Sequence, residues 1–201
     1  ESVFCHPPKP SGFHVWNNVS NTIIIATTLT VPLALLLGGA LGDQPELVEA
    51  GTLAIEAYGV SQIYHVALKL FTGREGQLWH DGAGEFHGPS AAYFPDGWPS
   101  GHAATLFSIA TTYATYFEQP WLRVLLLSTA TFFAAMLVVD DAHYASDVVL
   151  GAAIGYCTGR WVVHHRSSRF SDGPDKAPFR LSSMAPLSIN GGLGLAARFT
   201  F

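Results

Sequence analysis

Long apolar stretches separated by short polar breaks dominate this chain. From Pro10 to Gly42 there is no Asp, Glu, Lys or Arg, and residues 22–41 are apolar and numerous enough to cross a bilayer. Pro32 lies inside this run without excluding a membrane helix, because neighbouring helices can satisfy the backbone groups that a proline frees. A hydrophobic core helix within a soluble all-α bundle fits the same pattern. Gly42-Asp43-Gln44-Pro45 then turns the chain. A second helix is expected over residues 46–71, with a polar edge of Glu49, Glu56 and Lys69 and a stop at Gly73. Residues 74–99 are rich in Gly, Pro, His and aromatic residues, show no period, and read as a loop long enough to be functional. Three more helices are expected over 101–117, 121–139 and 146–165. The brief turn Glu118-Gln119-Pro120 makes the first two of these antiparallel neighbours.

The two ends differ from this body. Residues 1–20 contain Pro7, Pro8, Pro10 and Gly12 and read as an irregular arm. Residues 167–183 are polar and read as a linker. Beyond them Leu193, Leu195, Ala197, Phe199 and Phe201 alternate loosely around Gly191, Gly192 and Gly194, as in a short strand or extended segment. The expected architecture is an all-α, membrane-embedded bundle of five main helices with a short extended C-terminal tail. Its expected divisions are an arm (1–20), a helical domain (21–166), and a linker with tail (167–201).

Composition sharpens the membrane reading. The chain of 201 residues is long enough for one domain with a sizeable core. Only 12% of it is charged, where soluble domains average about 25%. The apolar fraction of 49% is ordinary, so the shortage of charge carries the argument. A net charge of −5 without any Lys/Arg-rich run excludes nucleic acid as the expected partner. Cys5 and Cys157 support neither a disulfide framework nor a zinc site. Glu1 is not an initiator methionine, which either a removed signal peptide or an artificially chosen start explains; the expectation is a processed cell-envelope protein.

The candidate chemistry is concentrated in two places. Pro99-Ser100-Gly101-His102 is a turn opening a helix, which offers a hydroxyl and unpaired backbone N–H groups to an anion. Farther along, His143 is followed by Asp147, and the two histidines supply a nucleophile and a proton donor. A carboxylate partner raises a histidine's basicity and fixes its tautomer. Phosphate-ester chemistry suits this set.

Trp98-Pro99-Ser100-Gly101-His102 together with Asp141-Ala142-His143-Tyr144-Ala145-Ser146-Asp147-Val148 resembles the type 2 phosphatidic acid phosphatase (PAP2) superfamily. Lipid phosphatases, bacterial acid phosphatases and vanadium haloperoxidases are among its members. The resemblance covers roughly residues 21–165. It implies that His143 attacks phosphorus to form a phosphohistidine, that Asp147 orients it, and that His102 protonates the leaving alkoxide and later activates water. It further implies that Ser100 and the N–H groups of Gly101 and His102 hold phosphate oxygens, that Lys69 neutralises phosphoryl charge, and that neither metal nor cofactor is required. The site is expected to face the periplasmic or other non-cytoplasmic side of a bacterial envelope.

Two departures stand out. The first family motif runs from a lysine to an Arg-Pro pair, but Gly76-Gln77 stands there; the third has Ser-Arg where Met136-Leu137 stands. Each missing arginine would supply charge-assisted contacts worth roughly 2–4 kcal/mol in the transition state. Arg74 is the candidate substitute for phosphate binding, with His80 and His87 on the roofing loop, whereas Asp140 and Asp141 would repel phosphate and Leu137 would make the pocket wall apolar. Taken singly, His65 and His87 read as capping or surface residues. The group of His80, His87, His102, His143, Asp140, Asp141 and Asp147 could suit zinc or manganese, but no compact ligand motif supports that.

Two functions follow. One is a phosphatase of a lipid or isoprenoid phosphate monoester; the other is a catalytically silent PAP2-fold subunit that binds other membrane proteins.

Overall fold

The polar breaks in the sequence are the helix boundaries of a computed structural model, which describes residues 11–76, 84–91, 97–170, 180–189 and 192–200. Among these residues the elements are α1 (Ser11–Leu41), α2 (Pro45–Thr72), α3 (Gly101–Tyr116), α4 (Pro120–Val139), α5 (Ala145–Arg166), β1 (Arg180–Ile189) and β2 (Gly192–Thr200). Pro45 and Pro120 open α2 and α4, where a missing N–H costs nothing. Gly73 ends α2 in the left-handed conformation and donates its N–H to the Lys69 carbonyl.

The helices run up and down, so the C-termini of α2 and α4 meet the N-termini of α3 and α5 at one end of the bundle. One core cluster joins Ala50, Leu53, Ala54 and Ala57 of α2 to Tyr113, Tyr116, Val162 and Val163. A second, beneath the segments of Ser100-Gly101-His102 and of His143 to Asp147, joins Ile24, Ala103, Ala134, Leu137 and Val148.

Helices α3 and α5 approach closely, and three glycines make it possible. A Cβ added at Gly151 would lie 2.3 Å from the Ser100 carbonyl oxygen, at Gly155 2.2 Å from that of Ala104, and at Gly159 2.7 Å from that of Ser108. Only a glycine face lets the backbones come this near. The far end of the bundle is latched instead by polar contacts. Glu49 accepts from the Tyr116 hydroxyl at 3.1 Å and from the Ser168 amide at 2.6 Å, while Arg166 pairs with Glu56 at 3.2 Å and Arg169 with Glu46 at 3.0 Å.

The five-helix all-α expectation holds, with three adjustments. First, α1 starts at Ser11, inside the stretch read as an irregular arm; the prolines end at Pro10, and Gly12, Asn17 and Asn18 lower helix propensity without stopping it. Second, the tail is an antiparallel hairpin in which Ile189 pairs with Gly192 and Arg180 with Thr200, so its first strand begins within the stretch read as linker.

Third, the helix long and apolar enough to cross a membrane, among the described residues, is α4, with 17% of its apolar window buried. In α1 the described apolar run is the shorter Thr30–Leu41. Val124, Leu125, Phe132 and Val139 of α4 are exposed, and so are Val149 and Trp161 of α5. Between α1, α3 and α4 lies an apolar groove of about 340 Å³, lined by residues including Ile24, Thr28, Leu106, Ala110, Tyr113 and Phe133.

Candidate active site

Every described candidate sits at the end of the bundle where α2 stops and α3 and α5 begin. Lys69, in the last turn of α2, is buried and donates from Nζ to the Gly97 carbonyl at 2.8 Å. Ser100 is the N-cap of α3: it is fully buried, and its Oγ accepts the Ala103 N–H at 3.3 Å. Its own N–H goes to the Asp147 carbonyl at 2.9 Å, which ties the start of α3 to the start of α5. Ser100 thus serves helix geometry, and Gly101 and His102 stand in the opening turn of α3.

His102 and His143 face each other with ring centroids 6.0 Å apart and planes inclined by 60°. His143 is buried, and its backbone N–H, like that of Ala142, bonds to the Leu137 carbonyl, closing the turn after α4. Asp147, in the first turn of α5, has no exposed surface. Its Oδ2 accepts the Tyr144 N–H at 3.3 Å and lies 3.8 Å from His143 Nδ1. That is beyond hydrogen-bond reach, and Nδ1 is a buried atom with no bonding partner.

Arg74, the expected substitute for the missing arginines, is engaged elsewhere. Its guanidinium forms an ion pair with Asp147 Oδ1, donates to Ser146 Oγ at 2.9 Å and donates from Nε to the Gly84 carbonyl at 2.9 Å. It lies against the Tyr144 and Phe86 rings, with Cζ 4.9 Å and 5.0 Å from their centroids. Here the loop doubles back on itself: Glu75 N–H bonds to the Glu85 carbonyl, His87 N–H to that of Gly73, and the His87 ring to Glu75 at 2.7 Å. His80 lies outside the described residues.

Two sequence readings change. His65 is not a surface residue: it is buried one turn below Lys69, and a Cβ at Gly101 would lie 2.7 Å from its Nε2. The spacing of His65 and Lys69 on one face of α2 was the available signal. Leu137 is not a pocket wall, because its side chain belongs to the core cluster with Ile24, Ala103, Ala134 and Val148.

Restoring an arginine there would bury an unpaired charge. Leu137→Arg is therefore expected to destabilise the fold by about 3 kcal/mol or more and to give no gain in activity. Thermal unfolding beside the parent protein checks this.

Asp140, the cap of α4, is buried with Oδ2 lacking a hydrogen-bond partner, and Asp141 adopts a left-handed φ of 50°. No group of three His, Cys, Asp or Glu is placed to hold a metal ion among the described residues.

The model of the PAP2 superfamily matches residues 50–171, more than half of the chain. A Lipid A 1-phosphatase of Porphyromonas gingivalis is 39% identical over 72 residues, covering 32% of this chain and 16% of that protein. The chain thus spans about a sixth of the relative's length. No solved structure gives a significant match.

Proposed function

The chain belongs to the PAP2 superfamily, and on that premise we propose that it is a phosphatase of lipid phosphate monoesters working through a phosphohistidine at His143. The observation that carries this reading is the convergence of the α3 N-terminus, Lys69, and the His102–His143 pair on one end of the bundle. In the proposed reaction the opening turn of α3 and Lys69 hold the non-bridging oxygens. His143 forms the bond to phosphorus as the bond to the leaving oxygen breaks, and His102 gives that oxygen its proton. Water, deprotonated by His102, then attacks the phosphohistidine; inorganic phosphate leaves and His143 is regenerated.

A lipid substrate is supported by the Lipid A 1-phosphatase of Porphyromonas gingivalis among the relatives and by the site's place at the end of α4, whose apolar side chains face outward. The apolar groove adds to this, since Leu106 on its wall stands one turn below His102. Arg123, Arg160, Arg166 and Arg169 gather at the opposite end of the bundle. By the positive-inside tendency that end faces the cytoplasm, which supports a site on the non-cytoplasmic side of a cell envelope.

The test is phosphate release by the purified chain in detergent, from a panel of lipid phosphates and from an aryl phosphate. The leaving group makes the test specific. His102→Ala is expected to slow release from the lipid, whose alkoxide needs a proton, by about 10²–10⁴-fold. The first-turnover burst of phenolate from the aryl ester, which departs without needing a proton, should be affected far less, whereas phosphate release, which needs His102 to activate water, slows for both esters. No release above background, from a chain whose helical circular dichroism is intact, would instead support the silent-subunit reading and direct the search to protein partners in the membrane.

A further inference from the structure

The Asp147 carboxylate serves two masters. Oδ1 takes the Arg74 guanidinium and the Ser146 hydroxyl, the latter at 3.3 Å; Oδ2 takes the Tyr144 N–H and faces His143 Nδ1. The Asp147 side chain has no solvent-exposed surface. Its rotation is set by whichever donors hold each oxygen, and the charged donor is the strongest. Arg74 is itself fixed from three directions, by Asp147, by the Gly84 carbonyl and by the rings of Tyr144 and Phe86.

Building on the phosphatase reading, we propose that Arg74 is a positioning residue that acts through Asp147 and does not ligate phosphate. By holding Oδ1 it turns Oδ2 toward His143. A closure of about 1 Å then makes the Nδ1–H bond that leaves the Nε2 lone pair for attack on phosphorus. Swinging Arg74 onto a phosphate would break its Gly84 bond and leave a fully buried carboxylate oxygen without its cation, a costly exchange. The residue two positions before the missing family arginine has therefore taken a different task.

The experiment compares the full chain with Arg74→Ala, Arg74→Lys and Asp147→Asn. Three quantities are measured: kcat and KM on a lipid phosphate, the Kd of inorganic phosphate, and the 15N resonances of the His143 imidazole. Arg74→Ala is expected to lower kcat by about 100-fold, the usual penalty for misplacing a catalytic group by an ångström. KM and the phosphate Kd should stay within about threefold, because no ground-state contact is lost. The Nδ1 resonance of His143 should move in the same direction as in Asp147→Asn.

A phosphate Kd that weakens in step with kcat overturns the proposal and makes Arg74 a phosphate ligand. Unchanged kcat and resonance overturn it as well. Should Arg74→Ala fail to fold, Arg74→Lys decides by the same criteria, since it keeps the charge but loses the Nε bond to Gly84. If the parent chain shows no turnover, the His143 resonance decides alone: dependence on Arg74 keeps this inference while the phosphatase reading falls.

Discussion

His143→Ala is expected to abolish phosphate release from lipid phosphates, with a loss of about four orders of magnitude or more. The reason is that, among the described residues, no substitute nucleophile stands in place. His102 stands with its ring centroid 6.0 Å from that of His143, but it belongs to the first turn of α3, and in the proposed reaction its task is to protonate the leaving group. Lys69 donates to the Gly97 carbonyl and, in the proposed reaction, to phosphate oxygens, while Ser100 caps α3. The variant should fold, because His143 is held through its backbone N–H to Leu137 while its Nδ1 makes no hydrogen bond. Side-by-side assays with a helicity check read the result. Equal release by parent and variant would mean that any observed turnover does not come from this site.

Gly151→Val should cost nearly as much activity by a route that touches no reacting atom. Its Cβ alone would sit 2.3 Å from the Ser100 carbonyl oxygen, and that obstacle is backbone, which cannot rotate away. Either α5 withdraws from α3 or the first turn of α3 unwinds. Both separate His102 from His143 and strain the Ser100 N–H bond to the Asp147 carbonyl. Overpacking of this kind is expected to destabilise by about 3 kcal/mol. Ala153→Val, at an exposed position on the same helix, is the control and should stay within about 0.5 kcal/mol. Thermal unfolding and phosphate release on the pair separate a local clash from a general dislike of valine in α5.

The bundle was readable in the sequence because its punctuation is strong: Pro45, Gly73 and Pro120 stand at helix ends for local, backbone reasons. The pairing of Ser100-Gly101-His102 with His143 and Asp147 was readable because a motif keeps residue types in order. What the sequence withheld were contacts across long separations. Nothing near Arg74 announces an ion pair with Asp147, and the composition around Leu137 does not say whether its side chain meets a pocket or a core. The outward face of α4 was hidden for a related reason, since an apolar helix looks the same buried or bathed in lipid.

The length of α4 has a consequence for where such a site can work. As a span, its 20 residues measure about 30 Å at 1.5 Å per residue, equal to the hydrocarbon thickness of an average bilayer. A segment so closely matched has no excess length to take up by tilting. In a thicker leaflet pair the catalytic end is drawn in toward the acyl chains, and in a thinner one it is lifted past the headgroups. If the proposed phosphatase spans a bilayer by α4, its turnover on one and the same lipid phosphate is expected to peak at a particular host-lipid chain length, the bundle then acting as a gauge of membrane thickness.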